Sequence, residues 1–163
     1  ITAKSDPVFG AVYKIAAVYH EGVCEPRIKI SEAVEKITNP GLKEVYRVYD
    51  EEGHAVADLL ATKEESIPTD QPFYYVDPEQ PWKKRCFENF TVKKLQQPII
   101  RDGRRVQPAV GLGEIRSYVR EQLDREIWPE EQRFENPHRH YLDMTPQYYE
   151  LKMGLLASLK EEF

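Results

Sequence analysis

A chain of 163 residues is long enough to bury a core, as one domain or as a compact part of a larger protein. Hydrophobic residues make up 40% and charged residues 31%, and no apolar run nears the roughly eighteen residues of a helical membrane span, which excludes insertion into a bilayer. With 23 Lys and Arg against 28 Asp and Glu the net charge is -5, which argues against broad binding to a nucleic-acid backbone.

The elements follow in chain order. Ile1 to Asp6 has neither the basic start nor the apolar centre of a signal peptide, and a first residue other than Met suggests a piece of something longer. Gly10 to Tyr19 alternates as a half-buried strand does. Arg27 to Ser31 sets Ile28 and Ile30 on one strand face and two cations on the other. Lys43 to Tyr49 and His54 to Ala61 predict a hairpin around Asp50–Gly53, with Gly53 supplying a positive φ. Between Lys63 and Trp82, Pro68, Pro72, Pro78 and Pro81 remove backbone donors and predict a loop-rich connection.

Glu88 to Leu95 regains strand character, and Asp102-Gly103 predicts a type I′ turn between Ile99-Ile100 and Arg105-Val106. Ile115, Val119, Leu123 and Ile127 recur at helical spacing up to Pro129. Thr145-Pro146 is a helix start, after which Tyr148, Leu151, Leu155 and Leu159 share a face. Strands first and helices last predict an α+β fold, a mainly antiparallel sheet with C-terminal helices docked at one side. Cys24 and Cys86 have no CxxC spacing, which suggests neither a zinc site nor a disulfide framework and fits a reducing cytoplasm.

The segments GAVYKIAAV, PRIKISEAVEKITNPGLKEVYRVYD, Trp82-Lys83-Lys84, ENFTVKKL and RFENPHRHYLDMT occur in an order that resembles the nicotinate phosphoribosyltransferases. The match spans most of the chain and is most specific from Gly10 to Asp58. The resemblance implies the C-terminal part of a type II phosphoribosyltransferase, an irregular α/β barrel plus a second domain. Residues 1–62 would be the strand-rich segment after the barrel's glycine-rich phosphate loop, and 63–163 the strand hairpin and helices of the second domain. It also implies a transferase of NAD biosynthesis. Such an enzyme joins nicotinate to phosphoribosyl pyrophosphate, with ATP hydrolysis through a phosphohistidine and with Mg2+, in a cytoplasmic homodimer.

The family's catalytic histidine and nicotinate-stacking aromatics belong to earlier parts of its chains. No catalytic residue is therefore carried over, and these residues alone are not expected to catalyse the reaction or to bind a cofactor or metal. By resemblance to nicotinamide phosphoribosyltransferase, the phosphate-binding positions would be Lys14, Lys29 and Lys36. Lysine ammoniums suit phosphates that must be neutralised reversibly. Lys14 can equally be a lysine snorkelling from a half-buried strand, and Lys29 and Lys36 can be ordinary surface charges. His20 and His54 sit next to turns, His138 and His140 lie in a polar segment with no acidic partner at diagnostic spacing, and all four are expected to be solvated or locally bonded. The alternative to an enzyme part is a free-standing protein-interaction module using sheet edges and the C-terminal helix.

Overall fold

The computed structural model describes residues 12–33, 36–83 and 85–161. The chain forms two compact units, one of Ile1–Leu42 with Leu155–Phe163 and one of Lys43–Gly154. The boundary expected at 62/63 falls inside the second unit.

In the first unit, β1 (Ala17–His20) pairs antiparallel with β2 (Val23–Pro26) across Glu21-Gly22. Both turn residues have positive φ, 51° and 83°, the backbone that a two-residue hairpin turn matched to strand twist demands. Two expectations change here. Of the strand predicted over Gly10–Tyr19, Gly10 and Ala11 lie outside the described residues and 12–16 is irregular, because only residues 17–20 have a partner strand. Arg27–Ser31 is not a strand either. Pairing stops at Pro26, and beyond it the ladder is reduced to single bonds from Arg27 N to Ala16 O (2.8 Å) and from Thr38 N to Lys29 O (3.3 Å).

The second unit is organised by a four-stranded sheet of order β10-β4-β3-β7, made of β3 (Lys43–Tyr49), β4 (Ala55–Thr62), β7 (Thr91–Lys94) and β10 (Leu142–Met144). The β3–β4 hairpin closes where predicted, with Gly53 at φ 88°. β7 joins the far side of β3 antiparallel, within the predicted Glu88–Leu95 segment. β10 adds to β4 in parallel, so the sheet is mixed, and this pairing has no local sequence signal. Alternation along β3 turns Tyr46 and Val48 to one face, where they meet Ala57, Leu59 and Ala61 of β4 and the side chains of Ile67, Phe87 and Phe90. This is the main core. On the other face Leu60, Met144 and Tyr148 form a smaller one, flanked by Val45, Tyr149 and Leu151.

The proline-rich connection is irregular except for a short pair, β5 (Phe73–Tyr75) with β6 (Arg85–Phe87), whose Tyr75 and Phe87 rings stack at 4.0 Å. The Asp102-Gly103 hairpin forms between β8 (Ile100–Arg101) and β9 (Arg104–Arg105), with φ of 49° and 73° at the turn. α1 (Leu112–Arg125) follows. Contrary to the expected docking, it buries none of its residues, and the apolar Ile115, Val119 and Leu123 are exposed.

α2 (Pro146–Glu161) starts where Thr145-Pro146 predicted it. Thr145 Oγ1 accepts from Tyr148 N–H at 3.1 Å and donates to Glu65 Oε2 at 3.0 Å, so one hydroxyl caps the helix and ties down the loop after β4. Thr145→Ala is expected to cost about 1–2 kcal/mol, at the upper end for a cap because the hydroxyl is fully buried. Chemical denaturation checks it, and a change below a few tenths of a kcal/mol would refute the capping role.

Candidate functional site

The three lysines singled out by resemblance all lie in the first unit and are exposed. Lys14 Nζ donates to the backbone carbonyl of Lys36 at 2.5 Å, and Lys29 O accepts from Thr38 N two residues further on. The segments carrying Lys14, Lys29 and Lys36 are thus hydrogen-bonded to one another. Lys14 points its charge at a carbonyl, a neutral acceptor.

The densest charged constellation of the second unit lies on the sheet face that also carries the small core. Arg47 of β3 and Asp58 of β4 are direct cross-strand partners. The guanidinium grips both carboxylate oxygens, Nε to Oδ1 at 2.8 Å and Nη2 to Oδ2 at 3.0 Å. His140, in the turn before β10, reaches the same carboxylate with Nε2 at 3.4 Å from Oδ1, and its Nδ1 lies 3.2 Å from both oxygens of Glu131. Further along, Tyr49 Oη donates to Glu126 Oε2 at 2.7 Å and Gln122 Nε2 to Glu126 Oε1 at 2.8 Å, which anchors the end of α1.

The electrostatics follow from these contacts. Burial would push the Asp58 carboxyl up, but the facing His140, the hydrogen bonds from Arg47 and the charges of both outweigh it and hold it at about 2. The facing Asp58 carboxylate raises His140, against burial and with help from Glu131. Burial, then the acceptor Glu126, raises the Tyr49 phenol. Each anion faces a donor. These contacts favour the protonated form of His140, and the arrangement ties the segment before β10 to the sheet.

The histidine expectation is corrected here, since His140 has two acidic partners, which lie 82 and 9 residues from it. Neither separation is a motif. The Arg47–Asp58 pair does not follow from pairing outward from the predicted turn, because the register shifts between Val48 and Tyr49.

A second cluster sits near the main core. Asp77 Oδ2 pairs with Arg85 at 3.0 Å, while its Oδ1 accepts from the backbone N–H of Glu79 (2.8 Å) and Gln80 (3.2 Å). Burial, then the charge of Asp77, pushes the neighbouring Asp143 up to about 6. Asp50, Glu52 and His54 converge at the β3–β4 turn with ligand atoms within 4.8 Å of one another. A hydrogen bond from His54 N to Asp50 Oδ1 at 2.8 Å accounts for that closeness as turn geometry. Clefts of about 440 and 510 Å³ open beside the His140 network and share Glu131 and His138. Both cysteines are free, and among the described residues no helix is long and apolar enough to cross a membrane.

A mixed sheet followed by helices is an α+β domain. The family model for the nicotinate phosphoribosyltransferase C-terminal domain matches residues 42–152, and the chain belongs to that family. It is 29% identical over 161 residues to nicotinate phosphoribosyltransferase of Bacillus subtilis, covering 98% of this chain and 33% of the relative. It is 30% identical over 153 residues to the Caenorhabditis elegans enzyme of the same name, covering 92% and 26%. A crystal structure of human nicotinic acid phosphoribosyltransferase has the same fold over 72% of this chain and 23% of that chain, with a TM-score of 0.66 at 23% identity. The chain therefore spans between a quarter and a third of the length of these relatives.

Proposed function

We propose that this chain serves as the C-terminal domain of a nicotinate phosphoribosyltransferase, acting within a polypeptide of the relatives' full length. The reaction would join nicotinate to phosphoribosyl pyrophosphate, releasing pyrophosphate and yielding nicotinate mononucleotide for NAD synthesis. ATP hydrolysis with Mg2+ would drive it, in a cytoplasmic homodimer. The observation that carries this reading is the family match over residues 42–152, together with relatives of that name aligned over more than nine tenths of the chain.

Within that enzyme the domain's part is scaffolding and charge. The charge network of the second unit neutralises itself, which supports a rigid body rather than a second reaction centre. Lys14, Lys29 and Lys36 are exposed and sit on hydrogen-bonded segments, so their ammoniums are the groups proposed to meet substrate phosphates.

A chimera tests the assignment. The Bacillus subtilis relative with its matching third replaced by this chain is expected to form nicotinate mononucleotide from nicotinate, phosphoribosyl pyrophosphate and ATP. A folded, soluble chimera without that activity would count against the assignment. In the active chimera, Lys14→Ala is expected to raise KM for phosphoribosyl pyrophosphate or ATP by roughly tenfold, the worth of one charge-assisted hydrogen bond, with kcat little changed. Unchanged KM values would remove Lys14 from the site.

A further inference from the structure

We propose that His140 is a proton-operated clasp. As an imidazolium gripped between Asp58 and Glu131, it fastens the segment from Glu126 to Tyr141, and with it the end of α1, to the sheet, and on losing a proton it lets that segment loosen.

The geometry requires the charged form. Both ring nitrogens face carboxylates, Nδ1 at 3.2 Å from Glu131 and Nε2 at 3.4 Å from Asp58. A neutral imidazole has one N–H, so whichever nitrogen gave up its proton would turn a lone pair toward an anion. Nε2 is enclosed and makes no hydrogen bond, so at 3.4 Å its attraction to Asp58 is electrostatic and depends on the ring's charge. The two anions differ in what they keep after deprotonation. Asp58 retains the bidentate Arg47. Glu131 has a side chain only 10% exposed, and among the described residues no other cation pairs with it. Glu131 is therefore the jaw that opens.

The segment is attached at its ends by main-chain bonds, Ala55 N to Glu126 O at 2.7 Å and Asp58 N to Tyr141 O at 2.9 Å. Between them it is irregular. The clasp shares the middle with the Trp128 ring stacked on His54 at 4.0 Å, a bond from His138 N to Glu130 O at 2.9 Å, bonds from Gln132 Nε2 to Leu123 O and Ile127 O, and an exposed ion pair between Arg139 and Glu79. The charged and titratable groups around His140 are Arg47 from β3, Asp58 from β4, Glu131 from the facing turn, and His138 and Arg139 beside it. Tyr49 and Glu126 lie further along the face, bonded to each other. The facing Asp58 carboxylate raises His140 above an ordinary histidine, against burial and with Glu131 in support. The clasp is therefore at full strength below the titration point of a free histidine and is lost as pH rises through the folded one.

The test is a side-chain NMR titration of His140 in this chain, together with amide hydrogen exchange of residues 127–139 at several pH values. His140 is expected to titrate above the ordinary histidine value. Exchange divided by its intrinsic rate should rise by up to about tenfold per pH unit between the two titration points, and be flat outside them. Glu131→Gln should lower the His140 midpoint with the fold intact, and His140→Gln should abolish the pH dependence of exchange. If His140→Gln does not fold, the unmodified chain and Glu131→Gln still decide. His140 titrating at or below the ordinary value would overturn the proposal, as would protection of the segment unchanged through the His140 midpoint.

Discussion

Replacing Tyr148 by alanine is expected to destabilise the protein by about 4 kcal/mol, the largest loss from any single truncation considered for this fold. Tyr148 stands in the first turn of α2, is fully buried, and joins Leu60 of β4 and Met144 of β10 in the small core. Alanine would leave a ring-sized hole between three elements that cannot collapse together. β10 is only three residues long and depends for its position on the pairing with β4 that this core supports. The measurement is the urea midpoint at constant slope. A loss below about 1 kcal/mol would mean that the ring is not enclosed as described.

The second large effect is expected at Arg47. Its side chain is 18% exposed and that of Asp58 is 17%, so Arg47→Ala strands a mostly desolvated carboxylate with only the longer His140 contact. Breaking such a pair from one side costs about 3 kcal/mol, well beyond the value of a surface ion pair. The paired change Arg47→Met with Asp58→Leu is expected to recover much of that loss, because no uncompensated charge is then buried. Equal stability of Arg47→Ala and the unmodified protein would show the pair to be solvated. If the double variant were no better than Arg47→Ala, lost packing rather than the stranded charge would be the cause.

The two variants act on the same sheet face, which carries an apolar half under α2 and an ionic half under the segment after α1. Placing them together is the work of β10. Its parallel register sets Leu142 beside Asp58 and Met144 beside Leu60, so His140, two residues before the strand, arrives at Asp58 while Met144 arrives at the small core. The long-range ionic contacts and the small core thus share one origin.

Much of this was written locally. Alternation and a glycine turn specified β3 and β4, Asp102-Gly103 specified the β8–β9 turn, and Thr145-Pro146 specified the start of α2. Each signal lies within a few residues and acts through backbone dihedrals and near-neighbour hydrogen bonds, which a sequence states directly. The ordered segments that resemble nicotinate phosphoribosyltransferases were legible in the same way, as words in the chain. The expected strand over Arg27–Ser31 failed because alternation states only that a segment can pair. Whether a partner strand reaches it is a property of the assembled fold.

The union of Arg47, Asp58, Glu131 and His140 was decided by tertiary structure alone. Their mutual distances depend on a one-residue bulge in β4, a parallel strand added from the far end of the chain, and an irregular turn brought back over the sheet. No periodicity encodes those placements, because they are set by strand pairing and packing between distant segments, which exist only once those segments have met.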